Sequence, residues 1–176
     1  MDIIQANPDS IVSLEYTAKN RFRCVFVWYA ASAKAFGDCR FVLGLDGAHL
    51  KGKYLGILLS GTAVDANGLL FSLAHVVVDA KNDENWHWFA KLLFSVIQIH
   101  AMVYLQPHFL LFVSDRPKGL LEAIELMFPG SLHGYCLCHL YKNLHKQFKH
   151  PALRGFLYEA AHAINEEEYN KAIDQM

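Results

Sequence analysis

The hydrophobic positions of this chain fall into short runs with two different periods. Residues 11–16, Ile-Val-Ser-Leu-Glu-Tyr, alternate as a half-buried strand does, after the turn signal Asn7-Pro8-Asp9-Ser10. In residues 21–36, Phe22, Val25, Phe26, Tyr29 and Ala33 recur at three and four positions, the spacing of one helical face, and Gly37 is a natural stop. That spacing predicts a helix. The apolar run Phe41-Val42-Leu43-Gly44-Leu45 stops at Asp46-Gly47, which predicts a buried central strand with an acid held at its exit. Residues 54–64 and 69–78 read as two strands joined by Asp65-Ala66-Asn67-Gly68, where Asn-Gly accepts the positive φ that hairpin turns require. Asp65 is then a turn acid, and His75, mid-strand among apolar neighbours, a satisfied core histidine.

Further along, residues 79–84 gather acids and an asparagine just before Trp86, as at a helix N-terminus, where free amides and a partial positive charge favour carboxylates. Phe89, Leu92, Leu93, Val96 and Ile97 then mark a buried helical face that runs to about His100. A second apolar strand, residues 109–113, stops short of Asp115. Residues 118–128 read as a helix with Leu120, Leu121, Ile124 and Met127 inward, closed by Pro129-Gly130, and residues 131–138 return as a strand. From Leu140 the chain is helical, with a break near Pro151 and a fresh start near Asn165. Strand, hairpin, helix and parallel strand make an α/β opening of the ribonuclease H-like type, a mixed sheet with helical N-terminal and C-terminal flanks. In that order the strands ending at Asp46 and Asp115 are neighbours, and the two acids meet at one sheet edge. Carboxylates so placed are either bonded to turn amides or neutralised by a divalent cation, because side by side they raise each other's pKa.

Composition narrows the class. With 176 residues, 53% of them hydrophobic, the chain can bury one proper core and is short for two. Its apolar runs are broken well before membrane-span length, and MDIIQANPDS lacks the layout of a signal peptide, so a soluble intracellular chain is expected. Cys24, Cys39, Cys136 and Cys138 have no disulfide-framework spacing, and reduced thiols are expected. The formal net charge of −1 argues against a free-standing nucleic-acid binder. Local basic stretches remain, above all residues 139–154, with Lys142, Lys146, Lys149, Arg154 and three histidines, equally readable as a solvated helix face.

The segments LDGAHLKGKYLGILLSGTAVDANGLLFSLAHVVVDAKNDENWHWF and FVSDRPKGLLEAIELMFPGSLHGYCLCHLYKNL occur in an order that resembles the Mutator-like element (MULE) transposase domain. The resemblance runs from about residue 40 to the C-terminus, which divides the chain into a flanking segment, residues 1–39, and a transposase core, residues 40–176. It implies DNA transposition by metal-assisted phosphodiester cleavage and strand transfer, transposon-end DNA as partner, a homo-oligomer, Mg²⁺ or Mn²⁺ as cofactor, and the nucleus as location. Asp46 matches the first acid of the family's catalytic triad, in its DG-x-x-L-K-G segment, and Asp115 the second, in SD-x-x-K-G-L; both would be metal ligands. Gly47 and Gly119 would let the backbone approach at those turns, and Lys51, Lys53, Arg116 and Lys118 are the candidate DNA phosphate contacts. Cys136 and His139 match the family's Cys-x-x-His signature, but zinc is not expected, since no second Cys/His pair completes a four-ligand set. The third acid, a glutamate in the family, has no match in these residues. The expectation is therefore the front part of a transposase core, inactive by itself. The alternative is a transposase-derived DNA-binding or transcription-regulatory protein without catalysis.

Overall fold

The computed structural model describes residues 3–53, 55–101 and 110–176. Tyr54 and Phe109, the expected first residues of two strands, lie outside them. The described residues form seven strands and seven helices in two compact units, residues 1–134 and 135–176. In chain order the first unit contains α1 (Ile3–Ala6), β1 (Ile11–Tyr16), β2 (Phe22–Trp28), α2 (Ala30–Phe36), β3 (Arg40–His49), β4 (Ile57–Val64), β5 (Leu70–Val78), α3 (Asp83–Ala101), β6 (Leu111–Ser114) and α4 (Lys118–Met127). β7 (Leu132–Tyr135) closes it, and α5 (Leu137–Phe148), α6 (Leu153–His162) and α7 (Glu166–Asp174) make the second.

The strands form one mixed sheet in the order β1-β2-β5-β4-β3-β6-β7. β3, β4 and β5 pair antiparallel, and β6 lies parallel to β3 with Gly44 opposite Val113. On one face Leu43, Leu45, Leu59 and Ala63 are buried, and α3 covers them. The Phe89 ring lies against Phe26 at 6.3 Å between centroids, and Phe94 and Phe112 both pack on Phe128. Burying rings of this size supplies the driving force for the layer, at about 2–3 kcal/mol for each fully buried side chain. Gly61 lies under the Phe89 ring, where a Cβ would stand at an ordinary contact distance of 3.6 Å.

Residues 21–36 differ from the helical expectation. They form strand β2 and only then the short α2, so the N-terminal flank is mainly a β-hairpin that pairs onto β5. Phe22 and Phe26 satisfy a four-residue spacing and a two-residue one together; Cys24, Phe26 and Trp28 are the buried alternate positions, which the sheet selects. Asn20, with φ of 56°, makes the tight turn from β1. β3 continues to His49, pairing with β4 beyond Asp46, which is therefore an exposed mid-strand residue and not a buried acid at a strand exit. β7 ends at Tyr135, so Cys138 and His139 are helical. The β4–β5 hairpin has the expected acid, with Leu69 N donating to Asp65 Oδ1 at 2.8 Å, but the positive φ falls on Gly68 alone. His75 is half-buried and exchanges a 2.7 Å hydrogen bond with Ser72.

Candidate functional site at the sheet edge

Parallel pairing of β3 and β6 sends both C-terminal ends to one edge. Asp46 stands two residues beyond Gly44 and Asp115 two beyond Val113, its register partner. Strand alternation turns the Asp46 side chain to the face opposite Leu45 and Gly47, where its Oδ1 accepts from Gly47 N at 2.7 Å. Asp115 follows the last residue of β6. Its Oδ2 accepts from Lys81 Nζ at 3.0 Å, while its Oδ1 is buried with no hydrogen-bond partner among the described residues.

Lys81 was not among the residues that sequence patterning singles out. It sits in the β5–α3 connection, and its stem runs along the Gly47 side of the sheet, where a Cβ on Gly47 would lie 3.3 Å from Lys81 Cε. Its ammonium is also 5.8 Å from the Trp86 ring centroid. Asn85 fixes that connection. Buried in the first turn of α3, it donates through Nδ2 to Asp79 Oδ1 and to Ala80 O, and its own N–H donates to Asn82 Oδ1. Asn82, rather than the neighbouring acids, is thus the residue that caps α3. The only sequence signal for Lys81 was its place, a lone cation between a strand end and a helix start.

The basic candidates follow the same two strand ends. Lys51 and Lys53 are exposed in the loop after β3, and Lys118 opens α4 with a loose 3.7 Å contact to Glu122. Arg116 adopts φ of 52°, a left-handed conformation rare outside glycine, and its N–H donates to Ser114 Oγ at 2.8 Å. Ser114 Oγ in turn meets His133 Nε2 at 2.8 Å. Burial, and then the Arg116 charge, lowers the His133 pKa below its ordinary value. Gly119 is where α4 meets α3, since a Cβ there would lie 2.6 Å from the Asp83 backbone.

In the second unit, Cys136 precedes the first turn of α5 and His139 lies within it. Among the described residues, no three His, Cys, Asp or Glu side chains gather as a metal-binding group, at the sheet edge or around Cys136. The edge therefore carries two acids in different settings: Asp115 holds the Lys81 ammonium and keeps a buried orphaned oxygen, while Asp46 turns to the face opposite the Gly47 side along which the Lys81 stem runs. Hard oxygen donors of this kind suit a cation that keeps most of its water and is not enclosed.

Comparison with known proteins gives the family of the chain. A relative from Arabidopsis thaliana named Protein FAR1-RELATED SEQUENCE 6 is 27% identical over 142 residues, which cover 78% of this chain and 18% of that protein. The chain thus spans about a fifth of that relative's length. The sequence profile of the MULE transposase domain matches residues 42–143, a stretch that begins inside β3, contains both acids and the strands between them, and ends inside α5. Because that match covers more than half of the 176 residues, the chain belongs to the MULE transposase domain family.

Proposed function

We propose that this chain carries a DNA-transposition domain, built on a ribonuclease H-like sheet, with Asp46 and Asp115 as its cation-side acids. The observation that carries the reading is the register of β3 and β6, parallel neighbours with each acid two residues beyond a paired position. The order β5-β4-β3-β6-β7, three antiparallel strands followed by a parallel one, supports the fold assignment. In this reading Asp46 and Asp115 hold Mg²⁺ or Mn²⁺, which when bound supplies Lewis-acid polarisation of a phosphodiester. Lys51, Lys53, Arg116 and Lys118 orient the DNA backbone at the same edge, by charge and without base readout. DNA as partner and the nucleus as location follow from the same proposal.

A second reading, a transposase-derived DNA-binding or regulatory protein without catalysis, is favoured by one contact. Lys81 already neutralises Asp115. The two readings share the acids and differ in whether the edge serves chemistry. The test of the shared part is titration of the purified chain with Mn²⁺ beside Asp46→Asn and Asp115→Asn. Weak binding that is lost in both variants is expected. Equal affinity in all three would place any bound cation elsewhere and remove the proposed site.

A further inference from the structure

We infer that Lys81 is a tethered cation standing in for a divalent ion at Asp115, so that the chain neutralises its second edge acid with its own ammonium. The inference rests on the proposed reading of Asp115 as a cation-side acid. It deepens that reading by naming what competes for the acid. Three features make the ammonium a resident of the site. Its Nζ is 3.0 Å from Asp115 Oδ2, and both side chains are only about one-quarter exposed, at 25% and 26%, so solvent screens the pair less than it would a surface pair. Its stem is held against Gly47, where no side chain intervenes. The residues on either side of it, Ala80 and Asn82, are tied to Asn85 by hydrogen bonds.

The remaining oxygen, Asp115 Oδ1, is buried without a partner among the described residues, which marks the carboxylate as half-satisfied. A divalent ion drawn to that oxygen meets the Lys81 ammonium as a like charge at contact range. It must either displace the ammonium or tolerate the repulsion, and in both cases Lys81 lowers the affinity. Lys81→Met removes the charge and keeps an unbranched apolar stem for the Gly47 surface. Lys81→Arg keeps the charge.

The experiment is Mn²⁺ titration of the full chain, read by the electron paramagnetic resonance signal of free Mn²⁺, with thermal melts to show that each variant is folded. Lys81→Met is expected to bind Mn²⁺ about tenfold more tightly than the unmodified chain, the scale of removing one partly shielded like charge. Lys81→Arg is expected to match the unmodified chain, and Lys81→Met combined with Asp115→Asn to lose the gain. Equal affinity in Lys81→Met and the unmodified chain overturns the inference. So does the same gain in Lys81→Arg, which would point to a loosened loop, or a gain that survives Asp115→Asn. If those failures come with binding that still requires Asp46 and Asp115, the proposed cation site stands without its tethered competitor. Absence of Mn²⁺ binding in every variant removes both.

Discussion

Cys24 shows how far one side chain's chemistry is set by its place in the sheet. It is 1% exposed on β2, and burial, with the Glu15 charge beside it, pushes its thiol up to about 11. Cys39 is raised by burial as well, whereas Cys138 is exposed on α5. Since the thiolate is the nucleophile, iodoacetamide at pH 8 should modify Cys138 first and leave Cys24 unmodified until the chain unfolds. Mass-spectrometric mapping of the labelled sites checks this, and early labelling of Cys24 would contradict the burial of β2. His133 gives a prediction of the opposite sign. Its folded pKa is lowered from 6.5, so the unfolded chain takes up a proton first as pH falls. Its contribution to stability is complete above about 6.5 and declines as pH drops from there toward the folded pKa. A His133→Gln variant, which can still bond Ser114, should lose less stability than the unmodified chain between pH 7 and 5 in denaturant titrations.

At the scale of elements, the tightest junction is the crossing of α3 and α4. Gly119 admits no side chain, because a Cβ would collide with Asp83 Oδ1 and fall 2.6 Å from its Cα. Gly119→Ala should therefore destabilise the first unit by about 1–3 kcal/mol, the usual cost of overpacking, in spite of alanine's better helix propensity. A thermal melt unchanged within a degree would show that the helices can part freely. Asn85→Ala should cost about 1–3 kcal/mol by stripping the Asp79 and Ala80 acceptors of their donor. It should also free the connection that carries Lys81, visible as faster amide exchange at residues 79–82. Most of these elements were legible in the sequence where one period dominated. The β4–β5 hairpin is bounded by Asp65 and Gly68, and α3 shows Phe89, Leu93, Val96 and Ile97 on one face. β2 was not legible, because Phe22, Val25, Phe26 and Tyr29 fit a helical face while Cys24, Phe26 and Trp28 fit a strand, and the choice between them was made by pairing with β1 and β5. The site divides the same way. Asp46 and Asp115 are candidates because apolar runs stop beside them, although β3 itself continues to His49, whereas the reach of Lys81 to Asp115 crosses 34 residues and exists only once the sheet has formed.

For the whole molecule, charge and acid count decide what the chain can do to DNA. Its Lys and Arg number 16 against 17 Asp and Glu, so no general basic field draws it to a polyanion. In the proposed reading, association comes from the cations around the two strand ends, Lys51, Lys53, Arg116 and Lys118. About four neutralised phosphates give a slope of log affinity against log salt near −3.6, so binding should weaken by about a hundredfold between 50 and 200 mM salt. It should also be indifferent to sequence, because phosphate contacts position a duplex without reading it. Cleavage demands more than contact. Two acids can recruit a hydrated cation, but groups that act as a set lose nearly everything when one is missing, and the third acid expected from the family resemblance has no match in these residues. The 176-residue chain alone should therefore leave supercoiled plasmid intact in Mg²⁺ or Mn²⁺, with or without transposon-end sequences. The assay should be run beside Asp46→Ala. Metal-dependent nicking by the unmodified chain that vanishes in the variant would show that another carboxylate completes the set, and Glu122 and Glu125 on α4 would be the first to replace with glutamine.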